Sequence, residues 1–420
     1  MKKKILFTIQ WYPSNRSANV LCDVNIIKGL LETGQYEVHC LVYRLKDQME
    51  YEFVDGIHVH RFSRSWLWTE IMDSYKNVNS LKYKVCYHIN RFLLRVRQIL
   101  TIPFYPIDVP FLVSNFKRNA IKLHEKERFD IIVSEHNGID TLLAGYYVKN
   151  KYPEVKYMPI MWDPMVGKEG AKYLPHNYTE ARFLKLQNWI FSKADVIVSM
   201  TSNKEYLKGD TVLYQDKIHY LGLPRFVRPN IPNPTNNYQG FIKEEAINVL
   251  YGGVISNRDI KRFVEICNKT GFDNFNFIFL VSTPTSELEA SLKKLNGTYV
   301  LHTYIPHDDL IQLMIRCDYV LNIGGTNPRM IPSKIFEYMS YGKPVISTFI
   351  DNNDASLVFL EKYPLTCLLD TRIEIEKSSY VLRNFILMSK GKHVEFDDIK
   401  SLYSINTPDV YIDLIKSCIS

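Results

Sequence analysis

The sequence lacks paired cysteines, long apolar runs and any low-complexity tract. Its seven cysteines are scattered, and none shows the Cys-x-x-Cys or His/Cys spacing of a zinc or redox site, so we expect reduced thiols in the cytosol. No segment approaches the ~20 apolar residues that cross a bilayer. The apolar run after Lys2-Lys3-Lys4 ends at Gln10 and Pro13, which predicts a first β-strand instead of a signal peptide. These absences predict a cytoplasmic protein without a membrane span.

The length and composition are those of a two-domain globular enzyme. The chain has 420 residues, of which 46% are hydrophobic and 23% charged, and a single core stops growing at about 250–300 residues. Strand-like and helical segments alternate in two blocks, as in parallel sheets covered by helices on both faces. A stretch rich in proline and asparagine separates the blocks. We therefore predict an α/β protein with a first domain at 1–224, a linker at 225–245, a second domain at 246–400 and a C-terminal helical segment at 401–420.

The predicted strands are short apolar segments bounded by turn residues. In the first block they cover residues 5–9, 37–42, 131–134, 156–161, 196–200 and 218–220. In the second block they cover residues 247–251, 276–281, 299–301, 319–323, 344–347 and 366–369. Helical periodicity marks residues 20–32, 140–151, 180–193 and 408–419. Both sheets are thus expected to be doubly wound.

The segment Pro332–Ser347 is the most informative part of the chain. Pro332 suits the first turn of a helix and Gly342 suits the left-handed position just after its last turn, which predicts a short helix between them. Lys334 and Glu337 lie three positions apart near the N-terminus of this helix, where unpaired N–H groups favour anions. The pattern predicts an anion-binding site. The alternative is an exposed Lys–Glu ion pair, which contributes roughly 0.2–0.5 kcal/mol.

The residues before this helix predict a loop whose backbone can approach a ligand. Residues 319–323 form an apolar strand that runs into Gly324 and Gly325. Glycine allows close approach, and ligands of parallel sheets bind at the carboxyl ends of the strands. Together, the strand, the glycine loop, the Pro-x-Lys-x-x-Glu-Tyr-Met run and the Gly-Lys-Pro-Val-Ile run resemble the donor-site signature of family 4 glycosyltransferases, which have the GT-B fold.

The resemblance implies two Rossmann-like, doubly wound domains that face an interdomain cleft, with the segment 401–420 returning to the first domain. It implies a Leloir-type enzyme, a hexosyl- or related glycosyltransferase that moves a sugar from a nucleotide-diphosphate sugar to a glycan or polyprenyl-linked acceptor. Retention of configuration and a place in cell-surface polysaccharide synthesis, such as capsule or O-antigen, are also implied. No metal or other cofactor is expected, because basic residues and helix N-termini can stabilise the departing diphosphate. The acidic segments 308–309 and 351–354 are expected to form caps and turns.

The resemblance also assigns donor contacts in the second domain. In the family, the carboxylate that matches Glu337 accepts hydrogen bonds from both ribose hydroxyls. An Arg and a Lys neutralise the diphosphate, and here Arg258 is the first candidate and Lys261 the second, although Lys261 fits a solvated helix position equally well. The turn around Ile305 resembles one that meets the nucleobase through backbone groups. The other expected donor-binding residues are Lys334, Gly253, Gly324, Gly325 and Arg329.

Two residues depart from the family pattern. Val254 stands where the family has an arginine directly after the glycine turn, and Arg329 stands where it often has a first glutamate, eight positions before Glu337. The polar loop 324–331 still suits a sugar, but the signature does not identify which one. The departures keep one alternative open, a catalytically silent nucleotide- or glycan-binding assembly subunit. A GT-B sugar-nucleotide epimerase is a further alternative.

In the first domain, candidates for the acceptor side follow the predicted strands. Asn15 and Ser17 lie in the loop between the first strand and the first helix. Asp163 follows the fourth predicted strand, where many relatives have a His-Asp pair, and is a candidate to orient or deprotonate the acceptor hydroxyl. Glu135 and His136, at the end of the preceding strand, are expected to face the cleft, although a lone His at a strand end is more often structural. The predicted catalytic residues are Asp163, Arg258 and His136.

Basic residues are concentrated between Lys76 and Arg128. This segment has eleven Lys and Arg against three acidic residues, an excess that accounts for the formal net charge of +7 of the whole chain. Aromatic and aliphatic residues are interleaved with the charges, a mixture suited to an anionic bilayer surface. A core-facing helix with a basic solvent face explains the same pattern, and no nucleic-acid-binding motif accompanies it. The partners expected are a sugar donor, a glycan or lipid-linked acceptor and an anionic membrane surface on the inner face, but no nucleic acid.

Overall fold

The structure is a computed structural model, which describes residues 2–12, 18–74, 80–107, 109–136, 138–165, 174–207, 213–234, 237–255, 258–325 and 331–420. The chain forms two compact units, and each contains one sheet. The first unit comprises Met1–Pro224 and Pro408–Ser420, and the second comprises Arg225–Thr407.

Eight strands form the sheet of the first unit: β1 (Lys3–Thr8), β2 (Tyr36–Arg44), β3 (Tyr51–Val54), β4 (Ile57–Ser63), β5 (Ile131–Glu135), β6 (Lys156–Met161), β7 (Ile197–Met200) and β8 (Ile218–Leu221). Their order is β3-β4-β2-β1-β5-β6-β7-β8, and every neighbouring pair is parallel except β3 and β4. The antiparallel hairpin turns at Asp55 and Gly56, which both have positive φ. The sequence prediction missed this hairpin, whereas the other six strands overlap the predicted ones.

Between β1 and β7, the described residues of this unit form the helices α1 (Ala18–Glu32), α2 (Trp66–Ser74), α3 (Leu81–Leu100), α4 (Pro110–Glu127), α5 (Ile139–Lys151) and α6 (His176–Lys193). Alternate residues of a strand point to opposite faces. Accordingly, Leu6 of β1 packs in one hydrophobic cluster, while Ile5 and Phe7 pack in another, and all three are fully buried. The central strand is therefore enclosed on both faces, as expected for a parallel sheet.

The basic segment of the first unit divides between two helices with different surroundings. α4 buries five residues, so the core-facing interpretation is correct for this helix. α3 buries none of its residues, and Leu81, Phe92 and Ile99 on it are 78%, 65% and 68% exposed. The core-facing interpretation is therefore wrong for α3. In the part of the chain that the structure describes, no helix is both long and apolar enough to cross a membrane.

Six parallel strands form the sheet of the second unit: β9 (Ile247–Gly253), β10 (Phe275–Val281), β11 (Gly297–His302), β12 (Tyr319–Ile323), β13 (Val345–Phe349) and β14 (Thr366–Asp370). Their order is β11-β10-β9-β12-β13-β14. The helices are α7 (Ile260–Asn268), α8 (Ser286–Leu292), α9 (His307–Arg316), α10 (Lys334–Ser340), α11 (Leu357–Leu360), α12 (Ile375–Ser389) and α13 (Phe396–Ile399). The chain reverses direction across the sheet between β9 and β12, and ligands of doubly wound sheets bind at this switch point, at the carboxyl ends of the strands.

The last helix, α14 (Asp409–Ile419), belongs to the first unit. Its Tyr411 and Ile415 are fully buried, and the Tyr411 hydroxyl donates to the Gly222 carbonyl oxygen at 2.7 Å. The chain rejoins the first unit at Pro408 and not at residue 401, because residues 400–406 form a 3₁₀ segment of the second unit.

The segment that was expected to be a linker packs as part of the second unit. Phe226 is fully buried, its ring stacks 4.8 Å from that of Phe396, and its N–H donates to the Asn406 carbonyl oxygen at 3.0 Å. The second unit therefore begins at Arg225, about 20 residues before the boundary that the sequence predicts.

Candidate functional site

The helix α10 provides the core of the candidate site in the second unit. It begins at Lys334 with Ser333 as its N-cap, so Pro332 precedes the first turn and the predicted start is wrong by two residues. Gly342 has φ +67°, which confirms the predicted left-handed position after the last turn. A Cβ atom at this glycine would overlap the Val394 carbonyl oxygen. Both the positive φ and the lack of space for a side chain therefore restrict this position, just after the end of the helix, to glycine.

Lys334 connects α10 to the end of β9. Its Nζ donates to the Gly252 carbonyl oxygen at 2.6 Å. Burial lowers the pKa of Lys334, and the nearby Glu337 carboxylate opposes that shift. Because Lys334 binds the backbone of a neighbouring strand, an exposed ion pair with Glu337 does not describe these two residues.

Glu337 lies in the first turn of α10, and its side chain is only 13% exposed. Its Oε1 lies 3.5 Å from Nε2 of His307, the first residue of α9. That distance is at the long end of the hydrogen-bond range, so both carboxylate oxygens keep the capacity to accept stronger hydrogen bonds. The carboxylate is therefore suited to receive two donors from a ligand.

The loops that follow β9 and β12 meet at the switch point. The backbones of Arg258 and Gly325 form an antiparallel bridge. Nε of Arg258 donates to the Val254 carbonyl oxygen at 3.0 Å, which orients the guanidinium group. Among the described residues, nothing lies within 4 Å of a Cβ atom placed at Gly325, so this backbone position is not crowded by them. The structure thus places a cation and an accessible backbone together where the fold binds ligands.

Substitution by alanine is expected to change the stability of the protein differently at two adjacent glycines, Gly324 and Gly325. A Cβ at Gly324 would lie 2.6 Å from the Thr348 carbonyl oxygen and 3.1 Å from Phe349 Cα, both backbone atoms. Gly324→Ala should therefore destabilise the protein by about 1–3 kcal/mol, as overpacking does. Gly325→Ala is the matched control and should leave stability unchanged. Denaturant unfolding measures both, and equal effects of the two substitutions would contradict the described packing of the loop.

The remaining predicted donor residues lie in different surroundings. Lys261 is exposed on α7 and its Nζ lies 4.0 Å from Oε1 of Glu265, one turn along the same helix, so its contact is that of a solvated helix residue. Ile305 is buried just before α9. Gly253 ends β9, and a Cβ there would make only an ordinary contact of 3.5 Å with the Tyr251 hydroxyl. Arg329 lies outside the described residues, as do Asn15 and Ser17.

Sequence reasoning missed two basic residues near α10. One is His307, whose Nε2 faces Oε1 of Glu337. Arg225 is only 8% exposed, and its Nε has no hydrogen-bond partner among the described residues. Its charge acts on Lys334 in the direction that lowers the Lys334 pKa. Arg225 was assigned to the linker, and no local signal distinguishes it from an ordinary surface arginine. The site is therefore more electropositive than the motif alone indicates.

In the first unit, two predicted catalytic residues are neighbours at the carboxyl ends of β5 and β6. His136 Nδ1 lies 3.0 Å from the Asp163 carbonyl oxygen, so an N–H at Nδ1 donates to this oxygen and the lone pair resides on Nε2. The backbone N–H of His136 donates to the Ile160 carbonyl oxygen at 2.8 Å. The Asn203 amide donates to the Met161 carbonyl oxygen at 3.2 Å, which holds the strand end. Asp163 is exposed and its carboxylate is available to a ligand.

Glu135 does not face outward as the sequence suggested. Its side chain is 1% exposed and acts on the fully buried Asp23 of α1. Burial, reinforced by the Glu135 carboxylate, raises the pKa of Asp23 well above its usual range. The pair therefore belongs to the interior of the first unit.

The acidic segment 351–354 adopts the turns that were expected. Asp351 Oδ1 accepts from the N–H of Asn353, and Asp354 Oδ1 accepts from the N–H of Ser356, each at 2.8 Å. These contacts two residues along the chain are Asx-turn geometry. The carboxylates are thus engaged in organising their own backbone.

No protein-family model and no curated protein matches this chain, but solved structures share its fold. The α,α-trehalose-phosphate synthase (UDP-forming) from Burkholderia xenovorans, in complex with glucose-6-phosphate, is 8% identical over 100% of both chains, with a TM-score of 0.61. A structure of trehalose-6-phosphate from E. coli bound with UDP-2-fluoro glucose is 9% identical over 99% of both chains, with a TM-score of 0.57. The UDP-GlcNAc 2-epimerase from Methanocaldococcus jannaschii is 12% identical over 99% of this chain and 100% of its own, with a TM-score of 0.52. At these identities the likeness establishes the fold alone, and the predicted GT-B fold is confirmed.

Proposed function

We propose that this protein is a glycosyltransferase of the family 4 type that transfers a sugar from a nucleotide-diphosphate sugar to a glycan or lipid-linked acceptor in cell-surface polysaccharide synthesis. The observation that carries the proposal is the arrangement at the switch point of the second sheet. There Glu337, with acceptor capacity in its carboxylate, lies on the helix whose Lys334 binds the end of β9. The backbone of Arg258 is bridged to that of Gly325 at the same edge. Structures of the same fold include a UDP-forming synthase and a complex with UDP-2-fluoro glucose, which supports a nucleotide sugar as donor.

Each group at the switch point has a chemical task in this proposal. Glu337 accepts hydrogen bonds from the two ribose hydroxyls of the donor. Arg258 stabilises the negative charge that the diphosphate gains as its bond to the anomeric carbon breaks. Lys334 fixes the end of β9 through Gly252 and adds positive potential. Gly325, which has no side chain, allows the diphosphate to approach the backbone.

Asp163 and His136 act on the acceptor. The acceptor oxygen attacks the anomeric carbon and forms the new glycosidic bond, while the bond to the diphosphate oxygen breaks. Under retention, the hydroxyl proton passes to the leaving phosphate on the same face of the sugar, and Asp163 orients the hydroxyl. Stabilisation of the leaving group by arginine makes a metal unnecessary in this mechanism, so donor turnover should persist in EDTA.

A donor screen tests the proposed function. One of the UDP-, GDP- or ADP-sugars should stabilise the protein in a thermal-shift assay, by about 2.7 kcal/mol at a ligand concentration of 100 Kd. Slow release of the nucleoside diphosphate from that donor should then appear without acceptor. If none of these donors stabilises the protein, the proposal is wrong for this chain.

A sugar-nucleotide epimerase is the second candidate, because the fold is shared with a UDP-GlcNAc 2-epimerase. The same screen separates the two activities when its products are followed by NMR. An epimerase interconverts the donor and its epimer, whereas a transferase releases the nucleoside diphosphate. Donor binding without formation of either product would indicate a catalytically silent assembly subunit. Val254, in place of the family arginine, keeps this alternative open.

We further propose that α3 docks the enzyme on an anionic membrane surface on the cytoplasmic side. The helix carries five Lys and Arg and no acidic residue. Six of its exposed apolar residues recur at spacings of three and four, as in one face of a helix: Leu81, Val85, Ile89, Phe92, Val96 and Ile99. Basic amphipathic helices lie among anionic headgroups, where each basic residue contributes about 1 kcal/mol. A lipid-linked acceptor would be presented at the same surface.

Cosedimentation with vesicles containing anionic lipid tests the role of α3. Phe92→Ser should reduce the partition coefficient about 10–100-fold, because burial of one large apolar side chain contributes ~1.5–3 kcal/mol. Leu387→Ser is the matched control, since Leu387 on α12 is 63% exposed against 65% for Phe92. If Phe92→Ser instead dissociates a dimer in light scattering and leaves vesicle binding unchanged, a second copy of the chain covers α3 and the membrane proposal is wrong.

A further inference from the structure

A cluster of histidines lies at the amino ends of β2 and β4, away from the carboxyl ends that carry the candidate catalytic residues. Glu37 and His39 are the second and fourth residues of β2, and His58 is the second residue of β4. His39 and His58 are direct neighbours in the parallel register. Residues two positions apart share a face, so Glu37, His39, His58 and His60 all lie on one face of the sheet.

Polar atoms of this cluster lie close together, and the His39 and His58 rings stack with their centroids 4.4 Å apart. One ligand atom from each of Glu37, His39 and His58 lies within 4.8 Å of the others. Glu37 Oε1 and His39 Nε2 are 2.9 Å apart, close to the ~3.3 Å between ligand atoms that tetrahedral geometry gives for metal–ligand distances of about 2.0–2.1 Å. The cluster opens into a cavity of about 230 Å³. There is therefore space for an ion and for a water molecule as a further ligand.

Both histidines are oriented by groups on their second ring nitrogen. The Tyr51 hydroxyl lies 2.9 Å from His58 Nδ1, so His58 Nε2 is the nitrogen that an ion would use. Because the His58 ring stacks on that of His39, it would have to turn to direct Nε2 at an ion on His39. His60 Nε2 lies 3.0 Å from His39 Nδ1. With an ion on His39 Nε2, the ring proton resides on Nδ1 and is donated to His60. Metal-binding histidines characteristically donate their other N–H in this way, which fixes the ring and raises its basicity as a ligand.

We propose that Glu37, His39 and His58 bind a divalent transition-metal ion, zinc in particular. Two imidazoles and one carboxylate with an open fourth position are a donor set typical of zinc. Lys4 contacts Glu37 Oε1 at 3.1 Å but also Glu127 Oε2 at 3.0 Å, so Lys4 keeps a partner when Glu37 turns to the ion. The ion would join β2 to the edge hairpin of β3 and β4, and its role is structural, independent of the proposed transferase activity.

Cobalt substitution and zinc binding test this site in tag-free full-length protein. Equilibrium dialysis should find one tightly bound Zn²⁺ per chain, and Co²⁺ should give visible ligand-field bands without thiolate charge transfer, because the ligands are nitrogen and oxygen. Zinc should raise the unfolding midpoint by about 2–8 °C, as a bound ligand does. His58→Gln should weaken Zn²⁺ binding at least tenfold and remove this rise. Tyr51→Phe should weaken binding less, by loss of the outer contact.

The matched control is His393→Gln in the second unit. His393 Nε2 lies 2.7 Å from Glu395 Oε1, the same His–Glu pairing at an exposed position. This substitution should leave zinc affinity and the unfolding midpoint unchanged. Circular dichroism of His58→Gln checks that the half-buried substitution leaves the fold intact. The proposal is overturned if wild type and His58→Gln bind zinc equally, or if the cobalt spectrum shows thiolate ligation.

Discussion

Glu337→Ala is expected to weaken binding of the donor nucleotide about 100-fold or more, because each hydrogen bond to a charged group contributes ~1.5–3 kcal/mol and this carboxylate accepts two in the proposed complex. The side chain is 13% exposed and its contact to His307 is a long 3.5 Å, so the substitution removes no short hydrogen bond among the described residues. It also removes the negative charge that favours the protonated form of Lys334, so circular dichroism should accompany the binding measurement. Isothermal titration calorimetry with the nucleoside diphosphate that stabilises the wild type measures the loss.

Two further variants separate the Glu337 contact from a general effect. Glu337→Gln keeps one acceptor oxygen without the charge and should retain part of the affinity. Glu361→Ala, at an exposed position in the same unit, should bind the nucleotide as the wild type does. An affinity that is unchanged in Glu337→Ala would place the nucleotide elsewhere and would remove the main support for the proposed function.

The strands of both sheets were largely predictable, because strands that are buried on both faces are continuous apolar runs. Residues 156–161 and 319–323 were predicted with the bounds that β6 and β12 have. The hairpin of β3 and β4 was missed even though Asp55-Gly56 is a strong turn signal. Its residues alternate between polar and apolar, as on an edge that is half exposed, so a search for continuous apolar runs does not find it. The metal site that we propose takes His58 from this hairpin and joins it to Glu37 and His39 of β2, so it was missed with the hairpin.

The boundary of the second unit illustrates a different limit. Proline and asparagine in residues 229–234 correctly indicate irregular backbone, but local composition does not show whether such a segment packs. Phe226 is buried by Phe396 and Tyr403, which are more than 160 residues away in the sequence. Contacts of this kind are decided by tertiary structure, and Arg225 becomes part of the candidate site through them.

Within the candidate site, the sequence predicted the residues but not their partners. The motif placed Lys334 and Glu337 on one short helix, which is a local property. The hydrogen bond between Lys334 and Gly252 joins residues that lie 82 positions apart in the sequence, so a local motif does not predict it. The assignment of Pro332 to the first helical turn failed because the Ile335 N–H donates to the Pro332 carbonyl oxygen in a turn that precedes the helix. Proline favours both positions, so the sequence alone does not choose between them.

Arg258→Ala is expected to lower kcat about 100–1000-fold with a smaller effect on donor binding, because the guanidinium group stabilises charge that develops on the diphosphate only as the glycosidic bond breaks. The bridge between Arg258 and Gly325 is formed by backbone atoms, so the loop keeps its path in the variant. Arg258→Lys should recover only part of the rate, since lysine lacks the planar pair of donors.

Lys261→Ala is the matched control, because Lys261 lies three residues away with its Nζ 4.0 Å from Oε1 of Glu265. The rate of this variant should change little. Steady-state kinetics of donor turnover decides between the two cations: a larger loss in Lys261→Ala than in Arg258→Ala would mean that the lysine leaves Glu265 to bind the diphosphate, and that the contact of Arg258 with Val254 is structural.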